Sequence, residues 1–162
     1  PDGWPLHGTQ ASRRLEAAAA ASLPPHTLMG RAGLAVARLA LALAPAAGRI
    51  WIAAGPGNNG GDGVEAAVHL QGVGKAVAVS LHPATVRPAD AAAALARAQA
   101  AGVPLLDAPV PPWALRRGDL AIDALLGLGT PRPPVGWLLE AIDRIRATDA
   151  GVLAVDLPTG LS

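Results

Sequence analysis

The amino-acid sequence predicts an α/β fold, a three-layer sandwich in which a mostly parallel sheet is flanked by helices. Three observations predict it. From Arg49 onward, short apolar runs alternate with longer amphipathic segments, which is typical of a parallel sheet covered by helices. Most of the short runs are continuously apolar, as expected for strands buried on both faces. The length of 162 residues, with 51% hydrophobic and 15% charged residues, fits one domain with one core.

In chain order, the first predicted elements are helices. Residues 16–21 are rich in alanine, and a longer helix follows whose apolar stripe is ended by Pro45 and Gly48. We expect this stripe to cover a sheet face or an interface; it consists of Leu28, Ala32, Ala35, Val36, Leu39 and Leu43. Residues 1–25 are predicted to form a helical extension of a single domain, residues 1–162.

The predicted strands follow that helix. Two of the intervening segments carry apolar stripes with a period of about 3.6 residues, so we expect helices that pack on the sheet. A proline-rich segment, residues 108–113, cannot donate a full ladder of hydrogen bonds and is expected to be a surface connection. The strands are residues 49–54, 76–81, 103–107, 120–125 and 152–157; the stripes are Ala91, Leu95 and Ala98, and Leu138, Leu139, Ile142 and Ile145.

The composition excludes several classes of function. Lys and Arg total 13 against 12 Asp and Glu, and Tyr and Phe are absent, so we expect no nucleic-acid partner. Cysteine is also absent, which excludes disulfides, a thiol nucleophile and thiolate-bound metals. The most apolar stretch, residues 34–47, is far shorter than the roughly 20 residues that cross a bilayer, and no secretion signal is visible. We therefore expect a cytoplasmic protein without a membrane partner.

A glycine-rich segment, GPGNNGGDG at residues 55–63, follows the first predicted strand. Its glycines match the pattern G-x-G-x-x-G between a strand and a helix. Glycines let the backbone approach a ligand closely, and a helix starting at about Asp62 would present free N–H groups to a phosphate. The alternative is a tight turn in which Asn58 is left-handed and Asp62 caps the helix.

The end of the second predicted strand argues against an ordinary NAD-dependent dehydrogenase. In such enzymes an acidic residue there binds the cofactor ribose. Here the strand ends in Ser80-Leu81-His82, without an acid. No clear arginine marks that position either, so the sequence does not distinguish a phosphorylated from an unphosphorylated ribose.

Two aspartates, Asp123 and Asp156, lie where predicted strands end. A buried carboxylate that is ionised and unpaired costs several kcal/mol, at an order of magnitude, so each needs a partner or a cation. The ligand crevice of an open α/β sheet lies outside the carboxyl ends of its strands, so both acids could converge with the glycine-rich segment on one site. Alternatively, each carboxylate binds N–H groups of a nearby loop.

The segment GLGTPRP, residues 127–133, follows the strand that carries Asp123. Its carbonyl groups, together with Asp123, the Asn59 amide and the Thr159 hydroxyl, would supply oxygen ligands without sulfur or imidazole. This set of ligands suits an alkali or alkaline-earth ion rather than zinc. A proline-braced surface loop is the alternative.

These motifs together resemble one family. The sequences GPGNNGGDG, AIDALLGLGTPRP (121–133) and AVDLPTG (154–160) are similar to those of the YjeF N-terminal domain family, the NAD(P)H-hydrate epimerases. The segment HTLMGRAG, residues 26–33, resembles the family's LMERAG helix start, with Gly30 in place of the usual Glu. The resemblance spans about residues 15–162.

The resemblance implies a Rossmann-like domain that interconverts the R and S forms of hydrated NADH and NADPH. It implies a potassium ion as cofactor and Thr159 in place of the family's usual Ser. We hypothesise that Asp156 is the catalytic acid–base group. The implied substrate-binding residues are Asn58, Asn59, Gly60, Gly61, Asp62 and Asp156, and the implied potassium ligands are Asn59, Asp123, Gly127, Leu128, Gly129, Thr130, Pro131, Arg132, Pro133 and Thr159.

The resemblance also bears on partners. It implies that the family's sheet continues with further strands after Ser162 and that a dehydratase domain is fused to the chain or acts separately. The apolar N-terminal helices favour a homodimer. Two other functions stay open: a non-catalytic Rossmann-like module that binds nucleotide, RNA or a protein partner, and a nucleotide-dependent oxidoreductase.

Overall fold

A computed structural model describes residues 8–128 and 133–160 of the chain. Five strands form one sheet in the order β3-β2-β1-β4-β5, and every neighbouring pair is parallel. The strands are β1 Arg49–Ala54, β2 Ala76–Leu81, β3 Leu105–Leu106, β4 Leu120–Ala124 and β5 Gly151–Ala154. The helices are α1 Thr9–Ala21, α2 Thr27–Leu43, α3 Asn58–Gly72, α4 Ala89–Ala100 and α5 Trp137–Arg146.

The core lies on both faces of the sheet. Alternate residues of each central strand point to opposite faces, so Ile50 and Ile52 of β1 join a large cluster with α2, α3 and α4. Trp51, between them, joins a smaller cluster with α5 on the other face. The predicted three-layer α/β sandwich with a parallel sheet is therefore confirmed. The boundary of the predicted extension, residues 1–25, stays a prediction.

Helix α2 exists as predicted, but its buried side is not the predicted stripe. Leu39 and Leu43 are 48% and 61% exposed, and Ala35 is exposed too. The buried residues are the small or slender ones, Met29, Gly33, Ala37 and Ala40. The reason is close packing against α3: a Cβ on Gly33 would lie 2.5 Å from the Cβ of Glu65. The bulky Leu39 and Leu43 do not fit at so short a distance and remain outside, whereas Val36 of the predicted stripe is partly buried against the core.

Helix α3 begins four residues earlier than expected, at Asn58 rather than at about Asp62. Gly57 is the extended residue before the helix, and no side chain caps it. The alternative of a left-handed Asn58 and a capping Asp62 is therefore wrong. The predicted start was too late because glycine is usually unfavourable inside a helix. Gly60, Gly61 and Gly63 nevertheless lie in α3, since neighbouring groups leave no room for a Cβ at these positions.

The strand ends differ from the predictions in three places. β3 is only the pair Leu105–Leu106, and β4 ends one residue early, at Ala124. β5 is Gly151–Ala154 rather than residues 152–157, because Asp156 adopts a left-handed φ of 66° that no strand residue can have. Among the described residues β5 pairs only with β4, and Val152 is 51% exposed. In α5, Leu139 of the predicted stripe is 45% exposed.

Candidate functional site

The site forms where β1 and β4 end side by side. The Gly55 N–H donates to the Ala124 carbonyl at 3.0 Å, which continues the pairing of the two strands. A Cβ on Gly55 would lie 1.8 Å from the Leu125 carbonyl oxygen, so only glycine fits here. This contact brings the glycine-rich turn directly against the segment that follows β4. The two predicted parts of the site are therefore adjacent.

The first turn of α3 lies beside this junction, at the carboxyl ends of the strands, where open α/β sheets have their ligand crevice. Asn58, Asn59 and Gly60 have no helical carbonyl partner, whereas the Gly61 N–H donates to the Gly57 carbonyl at 3.1 Å. The helix dipole adds partial positive charge at the same end, and no acidic side chain lies in the first turn. This end of α3 can therefore accept a phosphate or another anion.

Asp123 is buried at the end of β4 and fixes the segment that follows β5. Its Oδ2 accepts the Thr159 N–H at 2.8 Å, and its Oδ1 accepts the Thr159 hydroxyl at 2.7 Å. The Leu125 N–H also donates to Oδ1, at 3.2 Å. The Asp123 carboxylate thus binds N–H groups of nearby loops, which is one of the two arrangements predicted from the sequence. The same contacts bring Thr159 to the site.

Asn59 carries an amide whose two polar atoms are both buried. Neither Oδ1 nor Nδ2 has a hydrogen-bond partner among the described residues. An unsatisfied buried amide costs about 1–3 kcal/mol, so native structures retain one where a ligand, ion or water completes it. The Asn59 amide is thus the clearest sign of a missing partner at this site.

Asp156 projects into the crevice from the segment after β5. Its Oδ2 accepts the Leu128 N–H at 2.6 Å and lies 2.7 Å from where a Cβ of Gly127 would be. The same Cβ position is 3.4 Å from Asn59, so Asp156, Gly127 and Asn59 lie together. Asp156 is exposed, and its left-handed backbone is a strained conformation for a non-glycine residue. Its carboxylate is therefore held in place and accessible to a ligand.

Asp62, one turn further along α3, is the strongly perturbed acid of the site. Burial raises its pKa from 3.8 to about 7, and the negative charges of Glu16, Asp156, Asp90 and Glu65 add to the effect. The carboxyl group is therefore partly protonated at neutral pH. Perturbed acids in a crevice are typical of functional sites.

Two of the predicted substrate-binding glycines have a clear packing role. A Cβ on Gly60 would lie 2.1 Å from the Gly55 carbonyl oxygen, and one on Gly61 would lie 2.8 Å from the Met29 side chain. Both are buried, so direct contact with substrate through them stays a prediction. Of the implied potassium ligands, residues 129–132 lie outside the described residues. Pro133 is described and exposed.

Sequence analysis missed Arg87, which lies beside the site. Its Nη1 donates to the Gly55 carbonyl at 3.1 Å, and its Nη2 donates to the His82 carbonyl. Arg87 thereby links the ends of β1 and β2. Its position in the sequence gives only a weak signal, since Arg87 lies five residues after His82, in the loop that follows the strand end where a ribose-binding residue was sought.

A second missed group is the ion pair between α3 and α4. Glu65 is buried, and its Oε2 accepts a hydrogen bond from Arg97 Nε at 2.9 Å and lies 2.7 Å from Arg97 Nη2. His69 Nε2 lies 3.6 Å from the other carboxylate oxygen of Glu65. Near the start of α4, His26 Nδ1 is 2.6 Å from Asp90 Oδ1. The Glu65–Arg97 and His26–Asp90 pairs join distant parts of the chain, so sequence periodicity does not reveal them.

The comparison with family models decides which family this site represents. Residues 25–162 match the model described as YjeF-related protein N-terminus. The chain belongs to this family. The match covers the glycine-rich segment, Asp123, Asp156 and Thr159, and so the whole of the YjeF-related site described above.

Curated relatives of this YjeF-related domain have consistent names. A protein of Limosilactobacillus fermentum named NAD(P)H-hydrate epimerase is 38% identical over 86% of this chain and 66% of that protein. One of the same name from Bordetella pertussis is 43% identical over 83% of this chain and 58% of that protein. A Hyperthermus butylicus protein named bifunctional NAD(P)H-hydrate repair enzyme Nnr is 37% identical, over 83% of this chain and 26% of that protein. The chain thus spans 58–66% of the length of the first two relatives.

The fold of the YjeF-related domain matches that of a solved structure. The crystal structure of yeast ynu0 superposes with a TM-score of 0.73 and 21% identity, over 97% of this chain and 72% of that chain. This likeness concerns the fold alone. Among the described residues, no helix is both long enough and apolar enough to span a membrane.

Proposed function

We propose that the chain interconverts the R and S forms of hydrated NADH and NADPH, as an NAD(P)H-hydrate epimerase. The observation that carries this proposal is the placement of the Asp156 carboxylate next to Asn59 and Gly127, at the amino end of α3. The names of the curated relatives support it. A phosphate of the dinucleotide would bind the free N–H groups of α3, which directs the hydrated ring towards Asp156.

The proposed reaction needs proton transfer but no oxidant. Protonation of the hydroxyl group on the hydrated ring carbon lets it leave as water, and water that returns to the opposite face with loss of a proton gives the other epimer. Protons and electrons balance over the cycle. Asp156 would exchange the proton, because it is exposed in the crevice and fixed by the Leu128 N–H. Asp62, with a pKa of about 7, can hold a second proton close by.

A potassium ion fits the residues present. The Asn59 Oδ1 is buried and has no hydrogen-bond partner among residues 8–128 and 133–160, the Asp123 carboxylate offers two oxygen atoms, and the Thr159 hydroxyl keeps one lone pair after accepting the Leu126 N–H at 3.2 Å. These are oxygen ligands of the type that alkali ions prefer. Carbonyl groups of residues 127–133 are the proposed remaining ligands. The ion would supply positive charge beside the Asp123 carboxylate.

The test of the proposed function is epimerisation of stereochemically pure hydrated NADPH, followed by chiral separation. We expect the wild-type chain to equilibrate the two forms and Asp156→Asn to abolish conversion with an unchanged melting temperature. Asp149→Asn, an exposed aspartate outside the site, is the matched control and should keep full activity. Full activity of Asp156→Asn would overturn the assignment of Asp156.

The same experiment separates the alternative functions. A non-catalytic module would bind the hydrated nucleotide without converting it. An oxidoreductase would reduce or oxidise a second substrate with undamaged cofactor. Ser80 argues against a dehydrogenase-like ribose contact at its position, because its buried hydroxyl accepts the Trp51 Nε1–H at 2.9 Å and donates to the Val110 carbonyl at 3.0 Å. A side chain committed in this way cannot bind a ribose.

The partners of the chain are part of the proposal. The bifunctional name of the Hyperthermus butylicus relative favours a fused second activity, such as a dehydratase. A homodimer is supported by the outer side of α2, where Leu39 and Leu43 are exposed. Analytical ultracentrifugation of the wild type and of Leu39→Glu tests the dimer, since a charge in that interface would dissociate it. A cytoplasmic location stays a prediction.

A further inference from the structure

The strand order of this sheet indicates which part of a dinucleotide would lie beside the end of β2. The order β3-β2-β1-β4-β5 is that of dinucleotide-binding sheets, with the crossover point between β1 and β4. In such sheets the glycine-rich turn after the first strand holds the pyrophosphate, and the end of the second strand lies beside the ribose of the adenosine. Here that strand end is His82, whose N–H donates to the Ala54 carbonyl at 2.9 Å.

Arg87 occupies the space beside this strand end. It returns from the loop after β2 and donates to the carbonyl groups of both Gly55 and His82. A guanidinium group has five N–H donors in one plane, so these two contacts leave donors free for a ligand. Because Gly55 begins the glycine-rich turn and His82 follows β2, the guanidinium group itself lies between the turn that would hold the pyrophosphate and the strand end beside the ribose position.

The positive charge of Arg87 is not balanced within the described part of the chain. No carboxylate there lies within ion-pair distance of it, whereas the half-buried Arg97 is paired with Glu65. Burial lowers the pKa of Arg87, and burial, with a smaller effect of the Arg87 charge, lowers the pKa of His82. A partly desolvated arginine without a carboxylate is arranged to receive an anion.

His82 is the second group at this position. Its ring is held edge-to-face against Trp137, with ring centroids 5.3 Å apart, and Trp137 in turn donates its Nε1–H to the Asp107 carbonyl at 2.7 Å. Its Nδ1 is buried and has no hydrogen-bond partner among the described residues. The imidazole is therefore fixed beside Arg87 with one ring nitrogen unsatisfied.

We propose that Arg87, with His82 beside it, forms a subsite for a phosphate group on the 2′-oxygen of the adenosine ribose, so that the chain prefers hydrated NADPH to hydrated NADH. This inference rests on the proposed function for its substrate. It rests on the strand order and the Arg87 contacts for its position. The segment Ser80-Leu81-His82 alone does not distinguish a phosphorylated from an unphosphorylated ribose, and the position of Arg87 favours the phosphorylated one.

The test uses fragments that carry the phosphate but not the reacting ring. Calorimetric titration compares adenosine 2′,5′-bisphosphate with adenosine 5′-monophosphate at constant ionic strength. We expect the bisphosphate to bind about tenfold more tightly or better, because a charge-assisted hydrogen bond contributes on this order. Arg87→Gln should reduce the ratio of the two affinities to about one, and Arg87→Lys, which keeps the charge but loses the planar fork, should give an intermediate ratio.

Arg38→Gln is the matched control, because it removes the same charge from an exposed position on α2 and should leave the ratio unchanged. Equal affinities of the two fragments for the wild type would overturn the proposal. So would an equal loss of both affinities in Arg87→Gln, since that result assigns Arg87 to the shared 5′-phosphate or to support of the Gly55 turn. The wild-type comparison holds even if a variant fails to fold.

A turnover measurement links the subsite to the proposed function. The kcat/KM for hydrated NADPH should exceed that for hydrated NADH by the ratio found with the fragments, and Arg87→Gln should remove most of this difference. If the chain epimerises neither substrate but still prefers the bisphosphate, the proposed function fails while the subsite stands. If it epimerises both equally and shows no fragment preference, the subsite fails while the function stands.

Discussion

Gly60 and Gly57 lie in the same turn but differ in what surrounds them. A Cβ on Gly60 would lie 2.1 Å from the Gly55 carbonyl oxygen, whereas one on Gly57 would meet nothing within 4 Å. We expect Gly60→Ala to lower the free energy of unfolding by about 2–3 kcal/mol, because the backbone of Gly55 must shift. Gly57→Ala, the matched control, should change it by less than about 0.5 kcal/mol. Urea denaturation measures both, and equal stability of the two variants would contradict this account.

The raised pKa of Asp62 predicts that the stability of the fold depends on pH. Its pKa is raised from 3.8 to about 7, because it is buried and faces Glu16 on α1, Asp90 on α4, Glu65 on α3 and Asp156 after β5. The folded chain therefore binds this proton more tightly than the unfolded chain, and the contribution of Asp62 to stability falls as the pH rises from about 4 to about 7. Above that range the ionised group destabilises the fold by at most about 4 kcal/mol, at roughly 1.4 kcal/mol per pKa unit.

Asp62→Asn tests this prediction, because the amide stays neutral at every pH. We expect the variant to equal the wild type in stability near pH 4 and to be more stable by about 2–4 kcal/mol at pH 8. Chemical denaturation at several pH values measures the difference. Asp149→Asn, at an exposed position, should show no such trend. A constant difference between Asp62→Asn and the wild type across the range would show that Asp62 does not titrate as described.

The residues of the site were predictable to different degrees. Asp123 and Asp156 were visible because each interrupts an apolar run, and Asn59 because two asparagines are unusual in a glycine turn. Arg87 and Glu65 were not found. Their roles depend on contacts with the Gly55 carbonyl and with Arg97 that form only when distant segments come together.

Among the elements, helices α3 and α4 are joined by an ion pair between Glu65 and Arg97. Glu65 is buried in the interface, and its partner Arg97 reaches it from the last turn of α4. Removal of the arginine leaves a buried carboxylate without its cation. We expect Arg97→Met to lower the free energy of unfolding by about 2 kcal/mol, less than for a fully buried pair because Arg97 is partly exposed.

A double-mutant cycle with Glu65→Gln gives the coupling between the two side chains. We expect Arg97→Met to be much less harmful when Glu65 is already neutral, since no charge is then left unpaired. Arg38→Met, at an exposed position of α2, is the control for loss of an arginine and should be nearly neutral. Additive effects of the two changes would show that the pair does not stabilise the fold.

Two elements, α2 and β5, show which structural details the sequence pattern does not predict. Periodicity located α2 but selected its leucine side, because burial of large side chains is the usual basis of such a stripe. The real interface is made by Gly33, Ala37 and Ala40, since α2 approaches α3 closely. Likewise, continuous apolar runs identified β5 but did not reveal that Asp156, two residues beyond its end, adopts a left-handed conformation.

At the scale of the whole molecule, alternation of strand and helix was enough to predict the parallel sheet and its three layers. It was not enough for the strand order. The chain adds β2 and β3 on one side of β1 and then reverses to the other side of β1, where it adds β4 and β5. That reversal places the loops after β1 and β4 next to each other. The site therefore arises from the topology, while its chemistry arises from a few polar residues at the strand ends.

The proposed potassium site tests whether this topology also links ion binding to stability. Its proposed ligands come from three separate segments: Asn59 after β1, Asp123 in β4 and Thr159 after β5. An ion bound by all three binds the folded chain and not the unfolded one, so it must raise the stability of the whole domain. At a potassium concentration ten times Kd we expect a gain of about 1.4 kcal/mol, which corresponds to a rise of about 3–5 °C in Tm.

Thermal unfolding in potassium chloride, compared with choline chloride at equal ionic strength, measures this gain. Asn59→Ala should lose it, because the buried amide oxygen is one of the proposed ligands. Asn58→Ala is the matched control: Asn58 is the exposed neighbour in the same turn, and its variant should keep the full potassium effect. An equal rise of Tm in both salts, or one that survives Asn59→Ala, would mean that the buried Asn59 amide is completed by something other than the ion.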